Sequence, residues 1–328
     1  MVDVILINPP VDGGVGGEAL PLGLACIGEV LDSSGISVRC IDMCCKDESV
    51  EDVARIVSRE APVAVGVSVL SAALPHVLEI IKVLRRQGET NIVVGGTHIT
   101  HDPGVVFSLD ADYGLLGEGD YSFQRLVELL VKKQELGSMN GLVCLKDGEE
   151  IIGEKQTLIA RDIPTPKREL FKNKYAHTPL NISRGCPHTC SYCAISCSKF
   201  RLRPLEDVIQ ELKRFVGKQI DFIDDVFTQD REYVEKLINI MIKEKIKVRW
   251  ACTTRADLID RKLLKNMKKS GLWYMSIGVE TGSEERRREI GKDISDEIII
   301  KTFKTCKGEG IKTRAYGMLG FPGETVED

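Results

Sequence analysis

No stretch of this 328-residue sequence approaches the roughly 18 consecutive apolar residues that a membrane-crossing helix needs, so no membrane span is expected. There is no G-x-G-x-x-G between a strand and a helix, which leaves a nicotinamide or flavin dinucleotide weakly supported. There is also no G-x-x-x-x-G-K-[ST], which argues against a nucleoside triphosphate. The opening residues Met1-Val2-Asp3-Val4-Ile5-Leu6-Ile7 run straight into Asn8-Pro9-Pro10 with neither a basic leader nor a small-residue cleavage site, so a cytoplasmic location is expected.

What is present is an ordinary globular composition, 43% hydrophobic and 29% charged. The chain is long enough for two domains at roughly 100 to 200 residues each. The formal net charge of -4 conceals an asymmetry: residues 1–160 carry 12 Lys+Arg against 24 Asp+Glu, and residues 161–328 carry 33 against 25. A boundary between two bodies is expected near that change. Most basic residues of the second half recur at helical surface spacing, so solvated helix faces explain them and no nucleic-acid binding is inferred.

Eleven cysteines are many for a reducing compartment, where disulfides are rare. Cys26, Cys40, Cys144, Cys252 and Cys306 lie in apolar, periodic surroundings and read as buried small hydrophobes. The others cluster, as Cys44-Cys45 and as Cys186, Cys190, Cys193 and Cys197.

Up to about residue 130, short apolar runs alternate with amphipathic stretches, the pattern of a parallel sheet covered on both faces. Five strands are expected, at Val4 to Ile7, Ile36 to Ile41, Val63 to Val69, Ile92 to Val94 and Tyr113 to Leu116. Between them, Leu24, Ile27, Val30 and Leu31 form one helix face ending at Gly35, and Val77, Ile80, Ile81 and Leu84 another ending at Gly88. Ligands of such sheets settle at the carboxyl ends of the strands. Those loops are Asn8-Pro9-Pro10 and on to Gly17, then Ser68-Val69-Leu70-Ser71, Gly95-Gly96-Thr97-His98 and Gly117-Glu118-Gly119-Asp120. Their glycines allow close backbone approach and their hydroxyls offer small hydrogen-bonding groups; ordinary turn chemistry is the alternative.

Together with Pro21-Leu22-Gly23-Leu24, these loops resemble the cobalamin-binding domain that precedes many radical S-adenosylmethionine enzymes, over residues 2–130. The resemblance implies a Rossmann-like, flavodoxin-like domain. It also implies cobalamin contacts from Asn8, Pro9, Pro10, Ser68, Leu70, Ser71, Gly95, Gly96, Thr97, Gly117 and Glu118. The D-x-H-x-x-G run that gives cobalt a histidine in one version of the family is missing, since Asp42 is followed by Met43-Cys44-Cys45-Lys46-Asp47. His98 and His101 stay open as cobalt ligands or as ordinary loop histidines.

Gly141 to Ile152 reads as a hairpin turning at Asp147-Gly148, and Asp162-Ile163-Pro164-Thr165-Pro166 as a stiff connection. The expected organisation is therefore 1–135 for the first domain, 136–175 for hairpin and linker, and 176–328 for the second domain.

The sharpest signal is Arg184-Gly185-Cys186-Pro187-His188-Thr189-Cys190-Ser191-Tyr192-Cys193. Cysteines spaced C-x3-C-x2-C on one loop can converge as thiolates on a soft metal centre, and three ligands leave one iron of a 4Fe-4S cluster open. Cys197 extends the set to four, so a closed zinc site or fully ligated cluster is the alternative, although structural zinc sites usually join two short pairs across a longer gap. The loop resembles the signature of the radical S-adenosylmethionine superfamily, with Tyr192 as the aromatic before the third cysteine. By that resemblance Cys186, Cys190 and Cys193 hold the cluster, Cys197 is a neighbour, and S-adenosylmethionine chelates the fourth iron.

Downstream, helices alternate with strands at Ile220 to Ile223, Val248 to Cys252, Trp273 to Val279 and Thr313 to Leu319. Counting the strand leading into the cysteine loop makes five. This is the pattern of the family's partial (β/α)6 TIM-type barrel, truncated after the fifth strand, and catalytic groups sit at the carboxyl ends of such strands. The resemblance implies S-adenosylmethionine contacts from Tyr192, Asp224, Asp225, Arg255, Glu280, Gly317, Met318 and Gly320. It implies a radical S-adenosylmethionine enzyme using cobalamin, most commonly for radical C-methylation, with a one-electron reductant such as flavodoxin or ferredoxin. Rearrangement, cyclisation and methylthiolation remain alternatives, as does a non-catalytic Fe-S carrier; no motif identifies the substrate.

Overall fold

The computed structural model describes residues 2–11, 19–45, 48–88, 90–136 and 139–325. The chain divides into two compact units, residues 1–158 with 162–176, and residues 159–161 with 177–328. Among the described residues no helix is long and apolar enough to cross a membrane.

The first unit is built on strands β1 (Val4–Asn8), β2 (Val38–Asp42), β3 (Ala64–Ser68), β4 (Asn91–Gly95) and β5 (Tyr113–Leu115), with the hairpin β6 (Leu142–Lys146) and β7 (Glu149–Ile152). The sheet order is β2-β1-β3-β4-β5-β6-β7, parallel through β5 and antiparallel beyond it. The hairpin therefore sits on the edge of this sheet. Helices α1 (Leu22–Ser33), α2 (Val50–Glu60), α3 (Leu74–Gln87), α4 (Thr97–His101), α5 (Val105–Ser108) and α6 (Gly119–Val131) complete the unit. Successive strand residues face opposite sides, which explains why the strands read as unbroken apolar runs. Val4 and Leu6 pack with Leu24, Leu31, Phe123 and Leu126 of α1 and α6, while Ile5 and Ile7 pack with Val53, Val77, Ile80 and Leu84 of α2 and α3. The 2-1-3-4-5 order places the reversal of winding between β1 and β3, where a flavodoxin-like sheet opens a ligand crevice.

The second unit begins with β8 (Thr178–Leu180), then the two-residue ladder of β9 (Ser183–Arg184) with β10 (Arg201–Leu202). It continues through α7 (Leu205–Lys213), β11 (Gln219–Phe222), α8 (Arg231–Lys243), β12 (Arg249–Thr254), α9 (Arg261–Lys269), β13 (Leu272–Glu280), α10 (Glu284–Glu289), α11 (Asp296–Gly308) and β14 (Lys312–Gly317). Five parallel strands run in the order β14-β13-β12-β11-β8 and do not close into a barrel among the described residues. Apolar helix stripes supply the core: Val208, Ile209 and Leu212, then Leu237 and Met241, then Leu263, Leu264 and Met267, around Phe222, Phe227 and Trp250. Those rings lie 4.7 to 5.4 Å apart between centroids, and the Trp250 indole donates to the Ser270 carbonyl at 3.1 Å. Helix starts are fixed by Asp230 and Asp260, whose carboxylates accept from the Tyr233 and Leu263 amides at 2.9 and 2.8 Å. Each such cap is worth about 1 kcal/mol.

Of the five cysteines read as buried, Cys26, Cys144, Cys252 and Cys306 are buried and Cys40 is half-buried; all eleven cysteines are free.

Candidate functional site

The cysteine loop leaves the second sheet after β8 and returns as β10, closed at its base by the β9–β10 ladder. Beyond Leu180 the chain loses its partner strand, because β11 stops at Phe222. Asp224 replaces that partner. Its buried carboxylate accepts from the Ile182 amide at 3.0 Å, the Ser183 amide at 2.7 Å and the Ser183 hydroxyl at 2.5 Å. Burial pushes the Asp224 carboxyl up to about 6 against the opposing pull of these donors. Gly185 then turns with φ of +81°, and a Cβ there would stand 2.2 Å from the Lys199 carbonyl oxygen, so only glycine fits. Within the loop, Ser198 Oγ accepts from the Cys186 amide at 2.8 Å and donates to the Ile195 carbonyl at 2.6 Å. The Ser191 amide donates to the Ile290 carbonyl at 2.9 Å, tying the loop to the end of α10.

The result is a cavity of about 320 Å³ at the carboxyl ends of the strands. Its wall includes Cys186, Cys190 and Cys193 together with Asp224, Asp225, Arg255, Glu280 and Lys292. Cys197 is exposed, has φ of +54°, and does not line it. Among the described residues no three His, Cys, Asp or Glu side chains are grouped tightly enough to hold a single metal ion. The donor set facing the cavity is thus three thiols of one loop, with the fourth cysteine outside.

Glu280 ends β13 with φ of +69°, a left-handed conformation that costs a non-glycine residue about 1 to 3 kcal/mol. The β13–β14 register shifts between Gly278 and Glu280, which re-aims the side chain. Its carboxylate accepts from Lys292 Nζ at 2.7 Å, with both side chains under 10% exposed. A Cβ at position 278 would meet both Glu280 Oε1 and Lys292 Nζ at 2.3 Å, so Gly278 clears space for this pair. Tyr192 adds its phenol; burial and then the Glu280 charge hold that hydroxyl well above its usual range. Arg255 is buried and pairs two-pronged with Asp257 at 3.1 and 3.0 Å. His188 lines the same cavity with Nε2 2.7 Å from Gln229 Oε1.

Of the residues named from the sequence, Tyr192, Asp224, Asp225, Arg255 and Glu280 share the cavity with the three cysteines. Gly317, Met318 and Gly320 lie exposed beyond it, linked by the Met318 amide donating to the Glu280 carbonyl at 2.6 Å; Tyr316 lines the cavity instead. Lys292, Gly278 and the His188–Gln229 pair were not named. Lys292 carried no readable signal, since Glu289, Asp293 and Asp296 surround it in the sequence as they would on a solvated face.

In the first unit, Asn8 ends β1 and Pro9 and Pro10 follow it, while Ser68 ends β3 ahead of Leu70 and Ser71, so both loops flank the reversal point. Leu70, Ser71 and Thr97 are exposed. Gly96 has φ of +113°, and a Cβ there would lie 2.9 Å from the Val69 carbonyl oxygen. Gly117 packs against the Gln156 backbone, and Glu118 accepts from the Leu158 amide at 2.6 Å. His98 Nδ1 lies 2.9 Å from Ser71 Oγ, and His101 Nδ1 lies 2.7 Å from the Thr97 carbonyl oxygen. The glycine-rich stretch 12–18 and residues 46–47 lie outside the described residues.

The chain matches the B12 binding domain over residues 10–127 and the Radical SAM superfamily over residues 180–328. It is 29% identical to an uncharacterised methyltransferase of Pyrococcus horikoshii, covering 100% of this chain and 76% of that protein. It is 27% identical to hopanoid C-3 methylase of Methylococcus capsulatus, covering 92% of this chain but 61% of the relative. The fold superposes on radical S-adenosylmethionine methyltransferase TsrM from Kitasatospora setae with a TM-score of 0.85 at 17% identity, over 99% of this chain and 69% of that one. It superposes on the cobalamin-dependent S-adenosylmethionine radical enzyme OxsB with a TM-score of 0.85 at 20% identity, over 97% of this chain and 49% of that one. With one family match in each unit, and with a three-cysteine loop and a 2-1-3-4-5 sheet in the corresponding places, the chain belongs to the radical SAM proteins that carry a cobalamin-binding domain.

Proposed function

We propose that this chain is a cobalamin-dependent radical S-adenosylmethionine enzyme that methylates an unactivated carbon. The observation that carries the reading is the cavity wall that Cys186, Cys190 and Cys193 share with Arg255, Glu280 and Lys292, with Cys197 outside it. When bound, a 4Fe-4S cluster with S-adenosylmethionine supplies a 5'-deoxyadenosyl radical, and cobalamin supplies the methyl group.

The chain's own residues then have distinct tasks. The three cysteines are the cluster ligands and leave one position for a chelating ligand. Asp224 holds the backbone at 182–183, which sets where the loop begins. Glu280, paired with Lys292, suits the hydroxyl and ammonium groups of a nucleoside with an amino-acid tail, and Arg255 suits its carboxylate. Asp225, Tyr192 and Tyr316 line the same space, and the segment from Gly317 to Gly320 is assigned to the adenine side of the ligand on the family resemblance. In the first unit, Asn8, Pro9, Pro10, Ser68, Leu70, Ser71, Gly95, Gly96, Thr97, Gly117 and Glu118 form the cobalamin loops. The glycines let a broad flat ligand approach the backbone closely.

A one-electron donor such as flavodoxin or ferredoxin serves the cluster, and the cytoplasm is the site of action. Cyclisation is the second reading. It is favoured by a relative named anaerobic magnesium-protoporphyrin IX monomethyl ester cyclase, from Rubrivivax gelatinosus, which is 25% identical over 99% of this chain.

The test is anaerobic reconstitution, reduction with dithionite and addition of S-adenosylmethionine. Formation of 5'-deoxyadenosine, lost in Cys186→Ala, supports the proposal; an intact reduced cluster that yields none overturns it.

A further inference from the structure

Asp42 ends β2 directly opposite Asn8 of β1 and is 2% exposed. A buried carboxylate is costly unless donors surround it. Asn8 Nδ2 donates to its Oδ1 at 2.8 Å, the Cys44 amide to the same oxygen at 3.1 Å, and the Tyr175 hydroxyl to its Oδ2 at 2.8 Å. These donors, and the Cys45 thiol that also bonds to Asp42, are neutral. The Cys44 thiol donates to the Pro9 carbonyl at 3.1 Å, and burial, then the Asp42 charge, pushes that thiol up to about 11.

An asparagine amide can flip, and its two ends have opposite hydrogen-bonding character. The reverse flip would set Asn8 Oδ1 against the Asp42 carboxylate, so the carboxylate fixes the nitrogen inward. Oδ1 is then the end left over, and among the described residues no group donates to it. Tyr175, the third partner, belongs to a strap that is itself held on the first unit. The Lys167 amide donates to the Ala25 carbonyl at 3.0 Å, Phe171 is buried beside α1 and α6, and Leu170 fills the space above Gly28.

We infer that Asp42 is the positioning residue of the first unit's ligand crevice: it locks Asn8 with its side-chain oxygen offered to a ligand donor, and couples that lock to the strap through Tyr175. This rests on the cobalamin reading and deepens it. The ligand chemistry that fits is a primary carboxamide N–H, which the corrin rim carries in several copies.

The experiment is equilibrium dialysis of the full chain against hydroxocobalamin, read by visible absorbance, with thermal melting alongside. Asp42→Asn and Asn8→Ala each weaken binding up to roughly tenfold, the size expected for one neutral hydrogen bond. The double variant binds no more weakly than the weaker single, and Asp42→Asn melts close to the wild type. Tyr175→Phe, which keeps the ring and so the fold, weakens binding severalfold and speeds tryptic cleavage at Lys172 and Lys174. Unchanged affinity in Asp42→Asn, or losses in the two single variants that multiply, would overturn the inference while leaving the cobalamin reading intact. Tyr175→Phe that binds and resists trypsin as the wild type does removes the strap from it. Failure of the wild-type chain to bind hydroxocobalamin overturns the cobalamin reading, and the inference falls with it.

Discussion

In the first unit the strand ends present glycines, hydroxyls and one amide, Gly95, Gly96, Ser68 and Asn8, and the buried carboxylate of Asp42 is surrounded by neutral donors. In the second unit the same edge of a parallel sheet presents Asp224, Arg255 and Glu280, each under 9% exposed, with Lys292 and three thiols facing the same cavity. A site that receives a large, mostly neutral cofactor needs shape and close backbone approach. One that receives a charged sulfonium amino acid beside a metal cluster needs paired charges held rigidly out of water. The common sheet geometry positions both, and the residue types divide the labour.

The largest effect that would break this contrast lies in the second unit. Alanine at Cys186, Cys190 or Cys193 is expected to abolish 5'-deoxyadenosine formation, whereas alanine at the exposed Cys197 leaves the cluster absorbance near 400 nm in place, a sulfur-to-iron band characteristic of such cofactors. Next come the backbone supports. Gly185→Ala drives a Cβ to 2.2 Å from a carbonyl oxygen, against 2.9 Å for Gly96→Ala, so the first should unfold the cysteine loop and the second only loosen its crevice. Urea denaturation should separate them, with at least about 2 kcal/mol lost for Gly185→Ala. Asp224→Ala leaves two buried amides and a hydroxyl without an acceptor, an expected loss of about 2 to 5 kcal/mol by the same measurement.

Smaller changes sharpen the contrast. Lys292→Met strands the Glu280 carboxylate and is expected to weaken S-adenosylmethionine binding roughly ten- to a hundredfold by calorimetry, with hydroxocobalamin binding untouched. The Asp224 carboxyl, raised to about 6 by burial, takes up its proton more readily folded than unfolded. Its contribution to stability is therefore complete below about pH 4 and lost as the pH rises through about 6. Asp224→Asn should remove that slope from urea midpoints measured between pH 4 and 7, and an unaltered slope would show that Asp224 does not titrate there.

How far the sequence revealed this arrangement depends on distance along the chain. The apolar strands and the helix faces at Leu24 to Leu31 and Val77 to Leu84 were legible because their period is local, and the cysteine loop because its ligands fall within a few residues. Helix α10, Glu284–Glu289, carries no apolar stripe and was not read from the sequence. The β9–β10 ladder is too short for periodicity. Asp224 was legible as a strand-end carboxylate, but its bonds to Ile182 and Ser183 cross 42 and 41 positions and depend on where β11 stops. The pairings of Glu280 with Lys292, His188 with Gln229 and Asp42 with Tyr175 arise the same way: side chains of compatible chemistry are brought together by the sheet, and spacing alone does not encode them.

The central claim is a cluster held by three thiolates of one loop with one iron open to a ligand. Electron paramagnetic resonance of the reduced, reconstituted chain, recorded with and without S-adenosylmethionine in the wild type and in Cys197→Ala, tests it most directly. The account predicts the same cluster signal in both proteins and the same change on adding S-adenosylmethionine; a signal that ignores S-adenosylmethionine and disappears when Cys197 is replaced would contradict it.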